Sequence, residues 1–117
     1  MRARAPMIAS AYSYAWEKMF KAVIGMAVSP ATLQERVADA YTGNIIHLTY
    51  PGTGDDLPDD LKPMLAEIKA AMETTQLTGT EGTAVASALA MTDAQAEDVA
   101  CKITRLFDEV QSRHRAW

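Results

Sequence analysis

The sequence predicts an all-α fold, a compact bundle of four long helices and one short helix that forms a single domain over residues 1–117. Apolar residues recur at the three-and-four spacing of a buried helix face in every long segment. Ser, Thr and Pro stand where helices begin, and turn-forming residues separate the segments. The alternating pattern of a half-buried strand is not found, so short loops between consecutive helices indicate a bundle.

The first helix is predicted from Met7 to Val28, with an apolar stripe that covers nearly half of its circumference. That is wider than the contact one partner helix makes, and Ile24 and Val28 widen it further. Ser29 is predicted to cap the second helix, and Pro30 to occupy its first position. The stripe consists of Ile8, Tyr12, Trp16, Met19, Phe20, Val23, Met26 and Ala27.

The second helix is predicted to run to about Tyr50. Gly43 lies inside it and costs about 1 kcal/mol relative to Ala, which favours a bend or a close helix approach at that position. The opposite, solvent-facing side carries Gln34, Glu35, Arg36 and Asp39. The buried stripe is predicted to be Leu33, Val37, Ala40, Tyr41, Ile45 and Leu48.

Two loops separate the remaining helices, at residues 51–56 and 78–82. Pro58 opens the third helix, whose predicted inner residues are Leu61, Leu65, Ile68 and Met72. A short fourth helix from about Thr83 to Met91 is predicted to bury Val85 and Leu89.

The fifth helix has the clearest start, because Thr92 and Gln95 have the spacing of a capping box. Acidic residues follow the cap and basic residues end the helix, as the helix dipole favours. The predicted buried stripe is Ala96, Val99, Ala100, Ile103, Phe107 and Val110.

Composition limits the classes of function. Apolar residues make up 49% of the chain and charged residues 22%, as in an ordinary soluble domain. The net charge of -4 disfavours nucleic-acid binding, which needs a clustered positive excess. One cysteine cannot form an internal disulfide, no secretory leader is recognisable, and no apolar run has the length of a membrane span. We therefore expect a cytoplasmic protein.

A helix-turn-helix over residues 83–115 is the alternative that would make the chain a DNA-binding regulator. A recognition helix presents its N-terminal residues to bases between phosphates. Here those residues are Asp93, Glu97 and Asp98, which would repel the DNA backbone. The same acids suit the N-terminus of an ordinary bundle helix, and this interpretation is favoured.

Four acidic residues cluster around the first loop: Asp55, Asp56, Asp59 and Asp60. Their spacing lacks the alternating oxygen ligands, the central Gly and the distal Glu of an EF-hand loop, so they predict no calcium site. Capping and dipole compensation at the third helix account for them. A further alternative is that they bind a basic groove, which would make the chain an acidic inhibitor of a host or defence protein.

No pattern predicts catalysis, a metal or a cofactor. His47 and His114 lack a second ligand at helical spacing, and Cys101 lacks a recognisable general base, so each is interpreted as structural or surface-exposed. Because sites assembled from distant residues leave no local signature, the prediction of a non-enzyme rests on this missing motif alone.

A more specific functional prediction concerns apolar and small residues that lie outside the predicted core and could contact a partner. Tyr14 falls on the polar side of the first helix with Lys18 and Lys21, while Ala94 and Cys101 face away from the buried stripe of the fifth. Small residues on an outer helix face permit close docking. We therefore expect a small regulatory or adaptor protein that binds other proteins and forms a homodimer.

Four short motifs stand out together: residues 33–36 (LQER) with Ala40 and Tyr41, residues 56–61 (DLPDDL), residues 81–83 (EGT) and residues 91–93 (MTD). In this order they resemble a group of short, uncharacterised, helical bacterial proteins. The resemblance spans most of the chain from the first helix, and it implies a bacterial, cytoplasmic origin. It carries over no catalytic or binding residue.

Overall fold

The computed structural model describes residues 6–48, 57–73 and 83–114, with the side chains of the first helix described from Tyr12 onward. Within these ranges the chain forms five α-helices and two 3-10 turns and contains no strand, which confirms the all-α bundle. The helices are α1 (Pro6–Val28), α2 (Leu33–Gly43), α3 (Lys62–Ala71), α4 (Thr83–Leu89) and α5 (Asp93–His114), and the 3-10 turns are Ile45–His47 and Asp59–Leu61.

Two helices organise the packing. Helix α5 lies against α1, α2 and α3, while α2 also contacts α1 and α4. Trp16 of α1 stacks on His114 of α5, and Phe20, four residues later in α1, lies beside Phe107, seven residues earlier in α5. The two helices therefore run antiparallel. Among the described elements, α1 packs mainly on α5 and α2.

The buried face of α1 is formed by Ala15, Met19, Ala22 and Met26. The predicted stripe was wrong along one edge, because it assigned Phe20 and Ala27 to the core and both are exposed. Trp16 and Val23 are half-buried at the border of the buried face. Alanine at two of the four inner positions lets the neighbouring helices come close to the α1 backbone, and the larger aromatic side chains lie outside this contact.

Helix α2 ends at Gly43, earlier than the predicted end near Tyr50. Asn44 leaves helical geometry with φ -139° and ψ -64°, and a 3-10 turn keeps Ile45 and Leu48 fully buried. The bend expected at Gly43 is therefore present. The close helix approach is not, because nothing lies within 4 Å of the position that a Cβ of Gly43 would occupy.

The corner between α1 and α2 is held by residues for which no such contact was predicted from the sequence. Thr32, and not Ser29, caps α2, in a capping box with Glu35 whose two hydrogen bonds are both 3.1 Å. Arg36, expected on the solvent-facing side, donates from Nη1 to the Met26 carbonyl at 3.0 Å and from Nε to the Ala31 carbonyl at 3.1 Å. The guanidinium thus satisfies one carbonyl in the last turn of α1, which helix geometry leaves without a partner, and one in the turn that leads into α2.

The inner face of α3 is as predicted, with Leu61, Leu65, Ile68 and Met72 buried. Its Lys69 donates to the Leu48 carbonyl at 3.1 Å, which ties α3 to the end of the preceding turn. Tyr41 is fully buried and donates to Glu73 Oε2 at 3.2 Å. Burial and the adjacent carboxylate of Glu73 raise the pKa of the Tyr41 phenol, so it stays protonated.

Helix α4 packs through small side chains, Ala84, Ala86, Ser87 and Ala88. The predicted inner residues are less buried, since Val85 is half-buried and Leu89 is 53% exposed. In α5 the Thr92–Gln95 capping box is confirmed, with hydrogen bonds of 2.9 and 3.1 Å. Its buried residues are Ala96, Val99, Ile103, Leu106 and Val110, so Leu106 joins the predicted stripe while Ala100 and Phe107 are half-buried.

The clamp made by Arg36 predicts a measurable loss of stability in Arg36→Met, which keeps most of the aliphatic stem but removes both hydrogen bonds. We expect the free energy of unfolding in urea to fall by about 1–3 kcal/mol, because removal of the charged donor leaves two carbonyls without a hydrogen bond. Arg105→Met, at an exposed position of α5, is the matched control and should change stability by less than about 0.5 kcal/mol. Equal stability of the two variants would contradict the clamp.

An ion pair between Asp60 and Arg113, with 2.7 Å between Oδ1 and Nη1, joins the turn before α3 to the end of α5. The hydrogen bond from Arg113 holds the pKa of Asp60 below its ordinary value of 3.8. A depressed folded-state pKa adds stability above the unfolded-state pKa and loses it as the pH falls through the folded-state value.

Asp60→Asn is therefore expected to be less stable than the wild type at pH 7. The difference should shrink as the pH falls below the ordinary carboxyl value of 3.8 and vanish below the lowered folded-state pKa, because Asp60 is then protonated in both states. Thermal melts over a pH series measure it. Asp59→Asn is the control for net charge, since Asp59 pairs within its own turn with Lys62 at 3.0 Å. A pH-independent difference would show that the ion pair is not its source.

Candidate protein-interaction surface

The most prominent exposed feature is an apolar face on α1, formed by Phe20, Ile24 and Val28. These residues are 41%, 44% and 73% exposed, and they recur every fourth position so that they lie along one side of the helix. The sequence from Ala22 to Gln34 contains no ionisable residue. An apolar, charge-free helix face in contact with water has the composition of the centre of a protein interface.

Phe20 is held in place by an aromatic stack. The rings of Trp16 and Phe20 are 5.1 Å apart and 12° from parallel, and His114 stacks on the other side of Trp16 at 4.8 Å. Phe107 of α5 lies 6.3 Å from Phe20, and the Trp16 indole N–H donates to the Gln111 side chain. A ring fixed by neighbouring rings loses little entropy when a partner covers it, so Phe20 is a preorganised contact.

A groove lies on the other flank of the apolar face, between α1 and α2, with a volume of about 360 Å³. Gly25 and Val28 form part of its α1 wall, and nothing lies within 4 Å of the position that a Cβ of Gly25 would occupy. Arg36 and Asp39 contribute polar groups from α2. The groove is large enough for one aromatic side chain.

The predicted α1 surface residues border this face. Tyr14 is 39% exposed, and the Lys18 ammonium lies 5.5 Å from the centre of its ring, a cation–π contact. Lys21 forms a 3.0 Å ion pair with Glu17. At 3.6 residues per turn, Lys21 is about 60° and Lys18 about 120° around the helix from Ile24. Lys21 is therefore at the rim of the apolar face, and Tyr14 and Lys18 lie beyond it.

Ala94 and Cys101 of α5 are exposed, as expected from their position opposite the buried stripe. They do not form one site with the α1 residues. Ala94 lines a separate cleft of about 560 Å³ between α3, α4 and the start of α5. The polar groups there include Asp98, which pairs with Lys102 at 2.9 Å. They also include Gln95, whose side-chain amide oxygen accepts from the Thr92 backbone N–H in the capping box of α5.

The acidic cluster is divided by the structure. Asp55 and Asp56 lie outside the described residues, so their predicted role has no structural counterpart here. Asp59 and Asp60 are exposed but engaged by Lys62 and Arg113. Reversing the charge of Asp60 would break a tertiary contact as well as alter the surface, so a binding test on all four acids together would not isolate their role.

The segment considered for DNA binding has an acidic start. Asp93, Glu97 and Asp98 are exposed in the first turns of α5. Lys102 pairs with Asp98 and with Glu67 of α3, at 2.9 and 3.9 Å, and the hydrogen bond that it donates to Asp98 raises its pKa. Helix α4 packs chiefly on α2, whereas a helix-turn-helix rests on contact between its two helices.

The described residues show no arrangement that suggests a metal site. They contain no group of three or more His, Cys, Asp or Glu side chains arranged to hold a metal ion. His114 is stacked on Trp16, and His47 is exposed on the 3-10 turn after α2. None of the helices described combines the length and the apolarity needed to cross a membrane.

Comparison with protein-family models, with curated proteins and with solved structures finds no match to this chain. The candidate interaction surface is therefore identified from the residues of this chain: the exposed face of α1, with the aromatic stack on one side and the groove on the other.

Proposed function

We propose that this chain is a small, non-catalytic regulatory or adaptor protein that binds other proteins through the exposed face of α1. The observation that carries the proposal is the row of Phe20, Ile24 and Val28, exposed along a charge-free stretch of helix. Single exposed apolar residues are ordinary on protein surfaces, but three in register on a supported helix form a patch.

The energetics favour a partner on this face. Fully burying a large apolar side chain contributes about 1.5–3 kcal/mol, so covering three partly exposed ones supplies a few kcal/mol. Phe20 is already ordered by Trp16 and Phe107, which lowers the entropic cost of contact. Glu17 and Lys21 form an ion pair at the edge of the face, in the position of the polar rim that surrounds an interface core.

Protein binding is better supported than DNA binding by the charges of α5. The exposed acids Asp93 and Glu97 are near its start, and the cations Lys102 and Arg113 are paired with carboxylates. A DNA reader needs unpaired cations where it meets phosphates. We also propose a cytoplasmic location, because Cys101 is an exposed free thiol of the kind that persists in a reducing compartment. The motif resemblance supports a bacterial source.

Ile24→Lys tests the proposal by placing a charge in the centre of the apolar face. The wild-type protein is cross-linked in extracts of its native cells, and the proteins bound to it, its own copy included, are captured. We expect Ile24→Lys to lose partners that the wild-type protein captures. The physical reason is the cost of burying an unpaired ammonium group in an apolar contact. Quantitative mass spectrometry of the captured proteins gives the measurement.

Leu89→Lys is the matched control, because Leu89 is also an exposed large apolar residue but lies at the end of α4. It should retain the partners that Ile24→Lys loses, and both variants should keep the wild-type circular dichroism spectrum. Identical capture by the wild type and Ile24→Lys would contradict the proposal.

A further inference from the structure

We infer that the partner on the α1 face is a second copy of this chain, packed antiparallel so that Ile24 of one copy meets Ile24 of the other on a two-fold axis. This inference rests on the proposed function, since it identifies the occupant of the same surface. In a two-fold interface one surface patch must fit itself, so any projection needs a matching hollow elsewhere in the patch.

The α1 face has both features. Phe20 projects from it and is 41% exposed, and the groove of about 360 Å³ beside Gly25 and Val28 is concave. Phe20 and Val28 are eight residues apart, which is about 12 Å along a helix. Ile24 is midway between them. A two-fold axis at Ile24 therefore places each Phe20 over Val28 and the groove of the other copy, and both copies make the same contact.

Charge selects the antiparallel orientation. The charged residues of the exposed part of α1, Glu17, Lys18 and Lys21, all precede Ala22, and the helix carries no charge from there to its end. An antiparallel pair centred on Ile24 turns the charged part of each helix toward the charge-free end of the other. A parallel pair would set each of these charges beside its own copy, which is unfavourable.

Gly25 keeps the groove beside the contact open. A glycine within a helix costs about 1 kcal/mol relative to Ala, and among the described residues nothing lies within 4 Å of the position that its Cβ would occupy. Gly25 is about 100° around the helix from Ile24, so this space lies beside the two-fold axis, in the wall of the groove that receives Phe20 of the other copy. A side chain at this position would narrow the groove.

Sedimentation equilibrium over a concentration series provides the first test. The wild-type protein is expected to be a dimer that dissociates on dilution, and Phe20→Asp is expected to weaken it at least tenfold. Val28→Asp tests the other end of the same contact and, at 73% exposure, disturbs the folded monomer least. Leu89→Lys should dimerise like the wild type.

Disulfide cross-linking in a Cys101→Ser background tests the geometry, because a disulfide forms only when the two Cα atoms are within about 7 Å. Ile24→Cys alone is expected to form a covalent dimer on oxidation. A mixture of Phe20→Cys and Val28→Cys proteins should cross-link as a mixed dimer. Efficient self-cross-linking of Phe20→Cys would indicate a parallel pair and overturn the inference.

A wild-type protein that stays monomeric would overturn the inference, and so would a dimer that Ile24→Cys fails to cross-link. If that monomer still captures a different protein in an Ile24-dependent way, or binds vesicles of anionic phospholipid, the face has another occupant and self-association is wrong. A monomer whose captured partners are unaffected by Ile24→Lys contradicts the proposed function as well.

Discussion

The packing of α1 through Ala15, Met19, Ala22 and Met26 determines which apolar side chains this helix presents to solvent. These residues follow a four-three-four spacing, and the alanines allow α2 and α5 to lie close to the helix. Once this face is turned inward, helix geometry directs Phe20, Ile24 and Val28 outward. The exposed face is therefore a direct consequence of how the core is packed.

The corner after α1 fixes this orientation from one end, and the aromatic stack fixes it from the other. Arg36 hydrogen-bonds the Met26 carbonyl and the turn that follows, so α1 cannot rotate without losing those bonds. Trp16 lies between Phe20 and His114, which links α1 to the last turn of α5. The same rings that anchor the helix also hold Phe20 in position for a partner.

The helix starts were largely predictable, because a capping box such as Thr92 with Gln95 is a local interaction between neighbours in sequence. The predicted cap of α2 was wrong, because Ser29 and Thr32 are both suitable residue types and only the geometry of the turn puts Thr32 in the capping position. The end of α2 was placed too late because its apolar pattern continues through Ile45 and Leu48. Burial is maintained there by a 3-10 turn, which a periodicity of 3.6 does not distinguish from a helix.

The face itself was the hardest feature to predict. A hydrophobic stripe assigns the largest apolar residues to the core, so Phe20 was expected inside and the small Ala15 and Ala22 were overlooked. The preference for small residues comes from the distance between helices, which is a property of the assembled bundle. Ile24 and Val28 were recognised as surplus apolar surface, but the aromatic stack joins residues about ninety positions apart and leaves no local pattern.

Thiol reactivity in α1 tests this account most directly. Ala22→Cys and Ala27→Cys, each made in a Cys101→Ser background, are the same substitution on the same helix, at a buried and at an exposed position. At a dilution where any dimer is dissociated, the account predicts rapid alkylation of Cys at position 27 and strong protection at position 22. Protection at position 27 with rapid reaction at position 22 would mean that α1 packs through the face that the apolar stripe suggests, and the exposed surface would not exist.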